Sequence, residues 1–222
     1  MANTPAPTSV STNASIGALP FGELLGDIAS KSPAPGGGAV ASAAGALAAS
    51  LAGMVLAYSR GRKDLAEHAG AHDALAELCS TAGCGLLELA DADAAAYSEL
   101  NALQRLDEND AHRKAALPEA AQRCVDVPLG VQRVCVGLLE AFEKLAPIAN
   151  KWLLSDLKIA AILAEAAVRA SDCNVEVNAP TLGRAVSPEA ERDAQASSLR
   201  SIERSAALLR SIEASIDGDL EN

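Results

Sequence analysis

Apolar positions recur at helical spacing along most of the chain, and runs of β-branched and aromatic residues at a period of two are absent. Phe21, Leu24, Leu25 and Ile28 make one stripe and predict a first helix over residues 20–30. Proline at its first turn is well tolerated, because its missing N–H would have had no helical partner. Ser32-Pro33-Ala34-Pro35-Gly36-Gly37-Gly38 then breaks the helix. A second helix, 39–59, is small-faced all round and is expected to lie at the centre of the fold. After Arg60-Gly61-Arg62-Lys63 a helical stretch runs to about residue 106, and a polar break follows at 107–110. Another covers 112–146, with interruptions expected around Pro118 and Pro128. Ser155-Asp156 reads as a helix start, with serine as the cap and the acid favoured by the helix dipole. That helix is expected to end near Ala170, and residues 174–180 read as an extended loop. Ser187-Pro188-Glu189 opens the last helix, whose apolar stripe is Leu199, Ile202, Ala206, Leu209, Ile212 and Ile216.

The pattern predicts an all-α bundle of about six helices, several of them long and Ala-rich. One domain is expected over residues 18–222, preceded by a disordered arm over 1–17. Long, small-faced helices also suit a helix interface shared with a second copy. Composition supports this: half the residues are hydrophobic but only 2% are aromatic, and alanine, the best helix former, supplies much of the apolar count.

A net charge of −11 disfavours general binding to nucleic acid or to an anionic membrane. An anionic small molecule would need only one local basic patch. The 23 residues from 36 to 58 carry no charge and are long enough to span a bilayer, but alanine, glycine and serine gain little from lipid. They suit close packing among helices instead. The five cysteines include no CxxC pair and show no zinc-ligand spacing with the three histidines. Reduced, mostly buried thiols in a cytoplasmic protein are expected, no metal is expected, and His68, His72 and His112 are expected at the surface. Residues 1–17 lack the basic start and apolar run of a signal peptide.

Four groups could carry chemistry. The loop from Ser32 through Pro35 to Gly36, Gly37 and Gly38 would free backbone N–H groups at a helix start, where an anion or a carbonyl is welcome, or it serves only as a turn. In Asp91-Ala92-Asp93-Ala94, Asp93 falls in an inward stripe with Leu86, Ala90, Tyr97 and Leu100, whereas Asp91 points roughly 200° away around the axis. A carboxylate in a core stripe must be paired, hydrogen-bonded or protonated. Desolvation would lift its pKa towards the range useful for proton transfer, or it is a structural acid bonded to a neighbouring helix. Arg60, Arg62 and Lys63 form the densest positive group after the glycine helix, suited to a carboxylate or simply to a helix terminus. Asn174 and Asn178, with Ser155 and Asp156, offer the mixed donors and acceptors that a pterin-like ring needs, or turn and cap chemistry.

Together these residues resemble the cyclodeaminase/methenyltetrahydrofolate cyclohydrolase family. The resemblance rests on Ser32-Pro33-Ala34-Pro35-Gly36-Gly37-Gly38, on Gly61-Arg62-Lys63, and on Asp91-Ala92-Asp93-Ala94 with Tyr97. It continues through Val127-Pro128-Leu129, Ser155-Asp156-Leu157 and Asn174-Val175-Glu176-Val177-Asn178, over roughly residues 20–215. Ala39 stands where serine is common, and Arg62 where lysine is common. The resemblance implies a homodimer or larger assembly that binds a tetrahydrofolate derivative, with Asp93 as the proton acceptor and no cofactor beyond that substrate. Water attack on 5,10-methenyltetrahydrofolate leads, cyclisation of 5-formiminotetrahydrofolate with loss of ammonia is the alternative, and a non-catalytic helical interaction protein is a third possibility.

Overall fold

The structure, a computed structural model, describes residues 15–220. Six α-helices follow one another: α1 (Phe21–Ile28), α2 (Gly37–Ser59), α3 (Ala69–Gln104), α4 (Ala111–Leu145), α5 (Leu154–Ala185) and α6 (Pro188–Leu220). Short 3-10 turns at Ile16–Ala18, Lys63–His68, Ala146–Ile148 and Lys151–Leu153 join or precede them. Strands are absent from the described residues. Residues 1–14 of the expected arm lie outside them, whereas Ser15 to Gly17 fold against α3.

Helix α2 packs between α3 and α5, while α4 packs on α3, α5 and α6. Ala48, Ala52, Val55 and Leu56 of α2 meet Leu138, Leu139 and Phe142 of α4 and Leu157, Ala161 and Ala164 of α5 in the main core. Helix α2 is long and apolar enough to cross a membrane, with a mean hydropathy of 1.9 over its most apolar window, yet 56% of that window is buried inside the chain. Its small side chains let neighbouring backbones approach closely. A Cβ on Gly45 would stand 2.7 Å from Cys135 Sγ, so only glycine fits there without movement.

Two helices are longer than the sequence predicts. Helix α4 runs unbroken through Pro118 and Pro128. Proline removes one N–H and frees the carbonyl four residues back. For Pro118 that residue is Lys114, which is exposed. Helix α5 continues to Ala185, so residues 174–180 are helical and not a loop. Val175, Ala179 and Leu182, at steps of four and three, are buried against Ala121, Val125 and Leu129 of α4. That burial outweighs the weak helix preference of the asparagines and Pro180.

Caps and phases also differ in places. Ser155 does not cap α5: it lies in the first turn, and Asn150 Oδ1 instead accepts from Trp152 N–H in the preceding turn, at 3.2 Å. Asn150 also donates its backbone N–H to Ser59 Oγ (2.9 Å), tying the start of α5 to the end of α2. Ser187 caps α6 as expected, accepting from Ala190 N–H at 3.2 Å. The buried face of α6 passes through Ala194, Ser198, Ser205, Leu208, Ile212 and Ile216, leaving Leu199 55% exposed. Serines on that face hide its phase in the sequence. Ser198 belongs to a buried network in which it accepts from Gln132 Nε2 and donates to Asp172, both at 2.6 Å. His72 is not a surface residue: it is 1% exposed, with Nε2 2.9 Å from the Ile148 carbonyl. Cys79, Cys124 and Cys135 are buried, Cys84 and Cys173 are exposed, and all five are free thiols.

Candidate functional site

The start of α2 is built from three glycines. Gly36 is its N-cap, and among the described residues no side chain caps the N–H groups of the first turn. The preceding loop is held by Ser32 Oγ, which donates to the Ala34 carbonyl at 2.7 Å. Beside this turn lies an open cavity of about 230 Å³. The loop contributes Pro33, Ala34 and Gly36 to Gly38, α3 contributes Asp93, Ala94, Ala96 and Tyr97, α4 contributes Cys124, and α5 contributes Asn174, Val177 and Asn178.

Asp93 faces Gly38 directly. A Cβ on Gly38 would land on the Asp93 carboxylate, so the close approach of α2 to α3 requires glycine at this position. The stripe beneath the acid is buried at Leu86, Ala90 and Leu100, while Tyr97 emerges at the rim, 47% exposed. Burial raises the Asp93 pKa above the usual aspartate value. Its carboxylate makes no hydrogen bond or ion pair with the described residues, and no lysine or arginine lines the cavity. A desolvated acid without a counter-ion can accept a proton and attracts a cationic ligand. Burial, helped by the Asp93 charge, pushes the Cys124 thiol up to about 11, so it stays protonated at neutral pH and is no nucleophile.

The residues put forward from the sequence divide into two sets. Gly36, Gly37, Gly38, Asp93, Asn174 and Asn178 meet at the cavity. Ser32 and Pro35 shape its loop without lining it. Asp91 is turned away, accepting from Ser15 Oγ (2.6 Å) and Ile16 N–H (2.8 Å), and so pins the N-terminal turn to α3. Arg62 and Lys63 follow the far end of α2, whose 23 residues span about 34 Å. Arg62 pairs with Asp64 at 2.8 Å, and Lys63 is exposed. Ser155 and Asp156 lie at the same far end, about 33 Å along α5 from Asn178. Cys124 and Val177 line the cavity without having been singled out. Val177 sits inside the Asn174–Asn178 block, and Cys124 precedes Pro128 by one helical repeat, which is the only sequence signal it gives.

Comparison with known proteins supplies the remaining evidence. The sequence model described as formiminotransferase-cyclodeaminase matches residues 20–196. Formimidoyltransferase-cyclodeaminase of Rattus norvegicus is 34% identical over 193 residues, covering 85% of this chain. The match takes up 36% of that protein, so the chain spans about a third of its length. Methenyltetrahydrofolate cyclohydrolase of Methylorubrum extorquens is 32% identical over 166 residues, covering 72% of this chain and 78% of that protein. The crystal structure of formiminotetrahydrofolate cyclodeaminase from Thermotoga maritima superposes with a TM-score of 0.83 at 27% identity, covering 91% of this chain and 98% of that one. With the family's sequence model spanning most of the described helices and the same fold in a solved relative, the chain belongs to the formiminotransferase-cyclodeaminase family.

Proposed function

We propose that this chain is an enzyme of folate one-carbon metabolism, a methenyltetrahydrofolate cyclohydrolase, with Asp93 as its proton acceptor. The observation that carries this reading is the Asp93 carboxylate, half-buried and unpartnered among the described residues, against the glycine start of α2. The substrate's methenyl carbon bridges N5 and N10 and carries positive charge, which a lone carboxylate in a partly dry cavity would favour. Water attacks that carbon while Asp93 takes one of its protons. The tetrahedral carbon then releases N5, which receives the proton from Asp93. The hydroxyl on carbon loses its proton to solvent as the carbonyl forms, leaving the formyl group on N10. Free N–H groups at the start of α2 would orient the ring or the developing oxyanion. This account requires no metal and no cofactor beyond the folate itself.

A second reading uses the same acid. Attack of N10 on the carbon of 5-formiminotetrahydrofolate, with loss of ammonia, also passes through a tetrahedral carbon between N5 and N10. It is favoured by the likeness to the Thermotoga maritima cyclodeaminase over nearly the whole of that chain. Assay of the purified chain on both substrates separates the two: a preference of about a hundredfold, or roughly 3 kcal/mol in transition-state binding, names the enzyme.

The assembly we propose is a cytoplasmic homodimer joined through α2. At about 230 Å³ the cavity is smaller than the 300–1,000 Å³ usual for small-molecule sites, so one chain encloses only part of a folate. Leu47, midway along α2, is 50% exposed and lines a hollow with Phe21 and Leu87, and a second hollow that Leu87 and Cys84 help to line adjoins it along α2 and α3. An antiparallel pairing of two α2 helices would bring one copy's Arg62 and Lys63 to the other's glycine turn, where a folate's glutamate carboxylate could meet them. Sedimentation should give twice the chain mass of 22.5 kDa, with Leu47→Glu reverting to a single chain. A wild-type monomer would defeat the pairing.

A further inference from the structure

Two sequence blocks have so far had no common explanation: Val127-Pro128-Leu129 on α4 and Asn174 to Asn178 on α5. They meet at one atom, the Cys124 carbonyl oxygen. In a regular α-helix this oxygen would accept from the N–H of residue 128. That residue is a buried proline and has no N–H to give. Asn178 Nδ2 donates to the Cys124 oxygen instead, at 3.1 Å across the α4–α5 contact.

This bond fixes which way the Asn178 amide points. Turned over, its Oδ1 would face a second acceptor, and the carbonyl of a buried residue would be left unpaired. With the nitrogen committed to α4, Oδ1 finds no partner among the described residues, and Asn178 lines the cavity. Asn174 follows the same pattern: its Nδ2 reaches the Ala170 carbonyl at 3.5 Å, and its Oδ1 lies 3.7 Å from a Cβ built on Gly37. The α5 wall therefore offers acceptors to the same cavity that the start of α2 and Asp93 line.

We infer that Pro128 and Asn178 act as a pair, in which the proline-freed Cys124 carbonyl holds the Asn178 amide so that its oxygen reads the donor edge of the bound heterocycle. Pro128 is a positioning residue and Asn178 a specificity-determining one. The inference rests on the folate reading above and orients that substrate. The 2-amino and N3–H edge of the pterin lies on α5, which leaves the N5–carbon–N10 edge towards Asp93 on α3.

The test uses two unreactive ligands, 5-formyltetrahydrofolate and its 2-desamino-2-methyl analogue, titrated against the full-length chain. The wild type should prefer the parent by about tenfold or more, the scale of one buried hydrogen bond. Asn178→Ala should erase that preference. Pro128→Ala supplies a normal N–H to Cys124 and frees the amide, so it should weaken the preference and raise KM with little change in kcat, while the helical circular dichroism is retained. A merely structural Asn178 would cost stability and leave the ligand preference intact. Wild-type preference persisting in folded Asn178→Ala overturns the inference. Wild-type preference in Pro128→Ala overturns the coupling, and that variant carries the test if the alanine variant at 178 does not fold. A wild type that binds neither ligand fails the folate reading itself.

Discussion

The two ends of the bundle hold different kinds of polar residue. At the end where α2 begins, Asp93 and the Asn178 amide oxygen lack partners among the described residues, and the first-turn N–H groups have no side-chain cap. At the end where α2 stops, polar groups are satisfied: Arg60 pairs with Asp73, Arg62 with Asp64, and Asn150 with Ser59 and Tyr58. Unmet hydrogen-bonding capacity in a partly desolvated place is costly unless a ligand answers it. Exposed, paired charges cost little and contribute little. Chemistry therefore belongs to the first end, and the second is built to terminate helices and to meet whatever reaches it.

The sharpest way to break this contrast is at the acid itself. Asp93→Asn keeps the shape and removes the proton acceptor, so kcat should fall by about 10² to 10⁴, the usual contribution of general acid–base catalysis, while folate still binds. Near-normal turnover would move the chemistry elsewhere. Gly38→Ala should come next. Its Cβ displaces the carboxylate, and a shift of about 1 Å costs roughly a hundredfold in rate. Alanine at the exposed Gly70, where an added Cβ meets nothing, is the control and should leave the rate unchanged.

At the opposite end the effect should be smaller and of another kind. Replacing Arg62 and Lys63 together by alanine should raise KM about tenfold, with kcat and melting temperature unchanged, because a single carboxylate contact is lost. An unchanged KM would leave that end with no part in binding and would remove the main reason for an antiparallel pairing.

The smallest effects are those of pH. Asp93 must be ionised to accept a proton, and burial raises its pKa. The acid limb of kcat/KM should therefore lie above the ordinary aspartate value of about 3.9 and vanish in Asp93→Asn. Stability has the opposite sign. The folded pKa exceeds the unfolded one, so the stabilising contribution of the protonated acid is complete below the unfolded value and is lost as pH rises through the folded one. At neutral pH the asparagine variant should melt slightly higher than the wild type, and a lower melting temperature would point to a partner that Asp93 has in solution.

Much of the first end was legible in the sequence. Asp93 interrupts a stripe in which Leu86, Ala90 and Leu100 are buried as helical spacing requires, although Tyr97 emerges at the rim, and three glycines before a small-faced helix announce an open N-terminus. The reach of α5 was not legible. Val175, Ala179 and Leu182 do carry a helical period, but two asparagines and Pro180 suggest a loop, and only burial against α4 decides between them. The separation of Arg62 and Lys63 from Asp93 was hidden for another reason. Neighbouring blocks in a sequence become the two ends of one helix, and a residue list carries no distances until the helix between them is measured.

Alanine has no side-chain torsion to rotate, and half of the buried residues of α2 are alanine: Ala39, Ala41, Ala46, Ala48, Ala49 and Ala52. A contact lined with methyl groups cannot absorb an intruding carbon by changing rotamer, so an enlarged residue there must shift the helix as a rigid rod. The glycine turn travels with that rod, which makes the whole length of α2 part of the alignment between Gly38 and Asp93.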